Sequence, residues 1–170
     1  MGRAGSPESM VEGARPSPLI RRFEPADFNA VSSLEEEGSG SRYGSRVFIR
    51  QASVLFSPFF FVAELGDAVT GYAIGGLTAA DAGEGWVIRL KIVEGHRSRG
   101  MGHLLLDAAV TSLAAAGADK VLLTVAPGNT KAIGLYRKYG FLETGFKAGY
   151  FGTGEDRIIM EFRTLPAGRS

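Results

Sequence analysis

Leu90-Lys91-Ile92-Val93-Glu94-Gly95-His96-Arg97-Ser98-Arg99-Gly100-Met101-Gly102 joins an apolar strand to an apolar-faced helix. Upstream, Trp86, Val87, Ile88, Leu90 and Ile92 read as a strand beginning at Gly85 or Trp86 and ending near Val93. Downstream, Met101, Leu105, Ala109 and Leu113 recur along one face of a helix predicted from Gly100 to Ala116, and Leu106 and Val110 widen that face. Gly117 is placed to end it. Glycines at the junction let the chain turn tightly and leave amide N–H groups uncovered at a helix start. The helix macrodipole favours an anion there, and Arg97 and Arg99 can add charge-assisted bonds. The junction therefore reads as a diphosphate cradle built from backbone. It is not a nucleotide P-loop, because His103 follows Gly102 where Lys-Ser/Thr is required. It is not a dinucleotide fingerprint either, because Leu105 stands at the third glycine position.

Working outward, Leu19 to Phe23 reads as a strand, and Glu24-Pro25-Ala26-Asp27 opens a helix to about Glu36 carrying Phe28, Val31 and Leu34. Gly38-Ser39-Gly40-Ser41 reads as a flexible loop before a second helix, Ser45 to Phe56, with Val47, Ile49, Val54 and Leu55 as its apolar signals. Phe59 to Leu65 and Val69 to Leu77 form a hairpin about Gly66-Asp67, and Phe59, Phe60 and Phe61 should alternate between the two sides of the sheet. Lys120 to Val125 is a short strand, Asn129 or Thr130 caps a helix to Tyr139, and Gly140 stops it. Phe141 to Phe151 and Arg157 to Phe162 close the chain as a strand pair. The order βααβββαβαββ predicts a layered α/β (α+β) domain with a mixed sheet, residues 19–165, behind a loosely ordered tail over residues 1–18.

Composition narrows the chemistry. The length of 170 residues suits one domain, and 45% hydrophobic residues suffice for a core. Nineteen Lys and Arg against 18 Asp and Glu give a net charge of +1, which argues against a nucleic-acid partner. There is no cysteine, so no disulfide, thiolate metal cage or cysteine nucleophile exists, and no metal is expected. The 24 glycines, roughly twice average usage, follow no period of three and imply tight turns. The most apolar stretch, Val54 to Ala63, is broken by Ser57 and Pro58, so no membrane partner is expected and a cytoplasmic location is inferred.

Arg97-x-x-Gly100-x-Gly102 resembles the Arg/Gln-x-x-Gly-x-Gly/Ala motif of the GCN5-related N-acetyltransferase (GNAT) superfamily. The context agrees. Leu90-Lys91-Ile92 is similar to that family's splayed central strand, and Asn129, Ala132 and Leu135-Tyr136-Arg137-Lys138-Tyr139-Gly140-Phe141 resemble its Asn…Ala…Leu-Tyr-x-x-x-Gly-Phe segment. Gly149-Tyr150-Phe151 followed by Gly154 to Met160 looks most like the RimI-type protein N-terminal acetyltransferases. The resemblance spans about Trp86 to Phe162 and implies a GNAT fold with acetyl-CoA as acetyl donor. It implies that the backbone of Leu90, Lys91 and Ile92 holds the pantetheine arm, and that Arg97, Ser98, Arg99, Gly100, Met101, Gly102 and His103 hold the diphosphate. Asn129 is expected on the cofactor arm, and Tyr136 as the acid that protonates the departing thiolate.

The resemblance leaves the general base open, because Thr124 stands where RimI-type enzymes carry glutamate. Glu35, Glu36 and Glu37, together with Tyr150, are the candidates for contact with the acceptor; a solvated helix end is the plainer reading of the three glutamates. His96 and His103 are expected to face solvent, as is the amine of Lys91, while Tyr139 should pack on the sheet and Glu155 and Asp156 brace the last strand. The expected acceptor is the α-amino group of a protein or peptide. A small amine or amino acid, or a non-catalytic acetyl-CoA-binding module, are the alternatives, in a monomer or homodimer.

Overall fold

The computed structural model describes residues 17–81, 83–97 and 100–164. Its elements follow the expected order. β1 (Leu19–Arg22) leads through a 3-10 turn at Pro25–Asp27 into α1 (Phe28–Ser39) and α2 (Arg42–Leu55). β2 (Phe60–Leu65), β3 (Ala68–Leu77) and β4 (Glu84–Ile92) form a meander, followed by α3 (Met101–Ala115), β5 (Lys120–Val125), α4 (Thr130–Tyr139), β6 (Leu142–Lys147) and β7 (Arg157–Arg163). The seven strands form one sheet, ordered β1-β2-β3-β4-β5-β7-β6. Every pairing is antiparallel except β4 with β5.

Side-chain alternation along each strand splits the core between the two faces. Phe61, Ala63, Ala73 and Val87 join Leu105, Ala109 and Leu113 of α3 on one face. Phe60, Val62, Tyr72 and Ile74 join Val31 and Leu34 of α1 and Ile49 of α2 on the other. The Phe60-Phe61 pair divides between them as alternation requires. Among the described residues no helix is long and apolar enough to cross a membrane.

Three local expectations are corrected. α1 continues through Gly38 to Ser39, so the loop shrinks to Gly40–Ser41: Gly40 takes the left-handed conformation (φ 66°) and donates its N–H to Glu36 O, while the Ser41 hydroxyl accepts from Gly44 N and starts α2 three residues early. Val54 and Leu55 on α2 are exposed, not core. β6 ends at Lys147 because positive φ at Gly149, Gly152 and Gly154 turns the chain out of the sheet.

The central irregularity lies in β4. Its register with β3 shifts between Ile74↔Arg89 and Gly75↔Val87, which leaves Ile88 as an extra residue. Such a bulge bends a strand and increases its twist. β4 then pairs with β5 only through Glu84↔Lys120, Gly85↔Val121 and Trp86↔Leu122. Beyond Trp86 the two strands part, while β5 stays paired with β7 as far as Val125↔Ile158.

The chain's entry to α1 is held electrostatically. Arg21 donates to both oxygens of Asp27 (2.8 and 2.9 Å) and to Glu64, and Asp27 also accepts the Glu24 N–H at 2.8 Å. The Arg21 bonds hold the Asp27 carboxyl below its usual pKa against its burial. A depressed carboxylate stabilises above its unfolded pKa, about 3.9, and the contribution fades as pH falls through the folded value. Asp27→Ala removes the paired bonds from Arg21, which keeps Glu64, and the acceptor for Glu24 N, and is expected to cost about 2 kcal/mol at pH 7 in urea unfolding, and less at pH 3. An equal cost at both pH values would show that the ion pair is not the source.

Candidate active site

The parting of β4 from β5 opens a cleft of about 880 Å³, bounded by β4, α3 and α4. Leu90 and Ile92 project into it from β4. Leu104 and the α3 N-terminus form one wall, and Ala132, Leu135 and Tyr136 of α4 form the other. Arg97, His103, Lys131 and Lys138 supply basic groups, and no carboxylate is among the described lining residues.

Gly100 supplies the turn into α3 with φ 81° and open space where a Cβ would sit. The helical ladder begins with Leu104 N donating to Gly100 O, so the amides of Met101, Gly102 and His103 precede it. Gly102 has a different reason to be glycine: a Cβ there would come within 3.1 Å of Leu135 and 3.2 Å of Ile92, so it sets how closely α3 approaches α4 and β4. These leading amides beside Arg97 suit a diphosphate, and the apolar floor suits an aliphatic arm. Met101 is fully buried and faces Thr70 of β3, so only its backbone is free for a ligand.

Asn129 caps α4, its Oδ1 accepting from Ala132 N at 3.2 Å, which leaves its amide NH₂ for the cleft. Tyr136 is only 8% exposed and packs on Phe141, yet it lines the cleft. Burial pushes its phenol up to about 12, so it stays protonated at any physiological pH. Thr124 is half-buried on β5, paired with Ile159, and offers no group able to take a proton near neutrality.

Several side chains depart from expectation. Lys91 does not face solvent: its Nζ donates to Glu35 O at 3.3 Å on the opposite sheet face from Leu90. Glu35 is buried, not solvated; Arg89 pairs with one carboxylate oxygen at 2.9 Å and the Tyr72 hydroxyl donates to the other. Glu36 is half-buried and Glu37 exposed. His96 is half-buried with its Nδ1 enclosed and without a partner among the described residues, whereas His103 is exposed and lies 5.3 Å from the Tyr139 ring. Tyr139 packs against Phe141 and Phe162 and donates to Asp107 at 2.9 Å. Tyr150 sits in the β6–β7 turn, outside the cleft lining. That turn is braced by Asp156 accepting from Gly149 N and by Glu155 pairing with Arg157. Ser98 and Arg99 lie outside the described residues.

Leu90, Ile92, Arg97, Gly100, Gly102, His103, Asn129 and Tyr136 are thus brought to one cleft, and Glu35, Glu36, Glu37 and Tyr150 are not among its lining. Lys131 and Lys138 were missed by sequence reasoning. The signal was available, because Lys131, Leu135 and Lys138 lie at helical spacing along one stripe of α4.

The sequence matches the acetyltransferase (GNAT) family over residues 27–141. It is 32% identical over 151 residues to an N-alpha-acetyltransferase of Sulfurisphaera tokodaii, covering 83% of this chain and 90% of the relative. Among solved structures, Ard1 from Thermoplasma volcanium superposes with a TM-score of 0.77 at 25% identity, over 87% of this chain and 98% of that one. The Escherichia coli ribosomal-protein-S18-alanine N-acetyltransferase superposes with a TM-score of 0.75 at 22% identity, over 91% and 98%, a likeness of fold.

Gly100→Asp has open space for its side chain but strains the backbone at φ 81°, and it sets a carboxylate before the α3 amides; Gly100→Asn, with the same strain and no charge, separates the two effects. Acetyl-CoA affinity is expected to fall at least about tenfold in calorimetric titration, through loss of the favourable field at the helix start. A folded variant that binds as the parent does would remove the diphosphate assignment.

Proposed function

The chain belongs to the acetyltransferase (GNAT) family, and from that premise we propose that its acceptor is the α-amino group of a protein or peptide N-terminus. Acetyl-CoA enters the cleft with its diphosphate on the amides of Met101, Gly102 and His103, and its pantetheine arm along the unpaired edge of β4 at Leu90–Ile92. That edge suits the arm because its peptide groups have no strand partner there, although Arg97 Nε already donates to Ile92 O at 3.3 Å. Asn129 contributes its amide NH₂ to the arm.

A neutral amine then attacks the thioester carbon. The C–N bond forms, the C–S bond breaks, the amine nitrogen gives up a proton to water, and Tyr136 protonates the leaving thiolate. A backbone N–H of β4 near Ile92 polarises the carbonyl as charge develops on its oxygen. Holding both substrates together supplies much of the acceleration, up to about 7–11 kcal/mol in well-oriented systems.

The observation that carries the choice of acceptor is the lack of any carboxylate among the described lining of the cleft, with Thr124 on the adjoining strand. In this reading the lining histidine, His103, belongs to the diphosphate end and the acceptor arrives already neutral. An α-amino group, with a pKa of about 8, is roughly one-quarter neutral at pH 7.5; a lysine amine, at about 10.4, is neutral in only about one molecule in a thousand. The neutral form is thus about two hundredfold more abundant for an α-amine before any contact is made. The N-alpha-acetyltransferase name of the Sulfurisphaera relative supports the same reading.

With an N-terminal peptide as acceptor, kcat/KM is expected to rise with pH and level off above about 8, following the peptide's own titration. A half-point between pH 6 and 7 would instead mark a base on the enzyme and overturn this account of selectivity. Tyr136→Phe is expected to lower kcat about a hundredfold while leaving acetyl-CoA affinity within threefold. Unchanged turnover in stopped-flow CoA release would remove Tyr136 from the role of acid.

A further inference from the structure

The strand that forms the floor of the cleft is tied on its other face to the end of α1. Leu90 and Ile92 point into the cleft, and the residues between and before them, Lys91 and Arg89, leave β4 on the side of α1 and α2. Arg89 pairs with Glu35 at 2.9 Å and lies over the Phe48 ring of α2. Tyr72 of β3, wholly buried, holds the second Glu35 oxygen. Lys91 reaches further along the helix, to the Glu35 carbonyl, and rests on Gly38, where a Cβ would stand 2.7 Å from its Nζ. A cation on the last carbonyls of a helix also complements the macrodipole. Burial holds the Lys91 ammonium below the usual lysine pKa, opposed by the charges of Glu35 and Glu37.

We propose that Lys91 is a positioning residue, which, seated on Gly38, locks the α1–α2 turn to the donor-holding strand so that the acceptor wall and the thioester keep one register. The lock has two parts. Arg89–Glu35–Tyr72 secures the body of the helix end. Lys91 secures its last turn, next to Gly40 and Ser41, where the chain reverses into α2. Gly38 is a helical residue with an ordinary φ, so its lack of a side chain serves the seat of Lys91 and no backbone need. The proposal rests on the sequence reading that the end of α1, Glu35 to Glu37, contacts the acceptor.

Gly38→Ala isolates the effect. Alanine is the better helix former, so the melting temperature should hold or rise, while the new methyl displaces the Lys91 ammonium from Glu35 O. In the full chain, kcat/KM for the acceptor that the parent prefers, peptide or small amine, is expected to fall about ten- to a hundredfold, the size of loss an ångström-scale misplacement brings. Acetyl-CoA affinity and the slow hydrolysis of acetyl-CoA by water should stay within twofold. In a Lys91→Met background, Gly38→Ala should have no further effect, because the contact it breaks is already gone. Acceptor kcat/KM within twofold of the parent, or the same loss in both backgrounds, would overturn the proposal. So would hydrolysis falling in step with transfer, since the donor strand itself would then be disturbed. Preference for small amines over peptides in the parent would count against the N-terminal acceptor without touching this lock.

Discussion

Beyond Trp86 the backbone of β4 has a strand partner on one side only, and the cleft exists because of that missing ladder. In an unbroken sheet, β4 and β5 would lie about 4.8 Å apart with their peptide groups satisfied by each other. The bulge at Ile88 turns β4 away, and β5 is kept from following because β7 holds it as far as Val125. The gap is therefore built by competition between two pairings, and its cost is a row of peptide groups in need of an extended ligand.

The faces of β4 divide the labour. Side chains pointing one way are apolar and line the cleft, while those pointing the other way, Arg89 and Lys91, are charged and hold α1. A single strand thus lines the cleft and anchors the neighbouring helix. Around the cleft, the basic residues Arg97, His103, Lys131 and Lys138 favour a polyanionic ligand at one end. No carboxylate is among the described lining residues to oppose them. Tyr136, kept protonated by its burial, adds a neutral hydroxyl to the cleft wall.

Much of this was legible in the residues. The element order, the glycine junction before α3, the cap at Asn129 and the stop at Gly140 follow from local chemistry: positive φ, capping side chains and apolar periodicity act over a few residues. The extents of α1 and β6 were misread, because a single Gly40–Ser41 reversal and a run of three left-handed glycines carry information that a glycine-rich composition does not. Lys131 and Lys138 went unread as cleft residues, since exposed lysines on a helix look alike until the facing wall is known.

Residue type and near-neighbour spacing were enough for the apolar strand, the anion-favouring turn, the amphipathic helix that follows and the exclusion of cysteine chemistry. Only the tertiary structure decided that Glu35 is consumed by Arg89 and Tyr72, that Lys91 lies on Gly38 instead of in water, and that β4 and β5 part after three residue pairs. Those outcomes depend on which distant groups meet. A buried carboxylate takes whatever donors surround it, and a strand parts from its neighbour only when a third strand holds that neighbour more firmly.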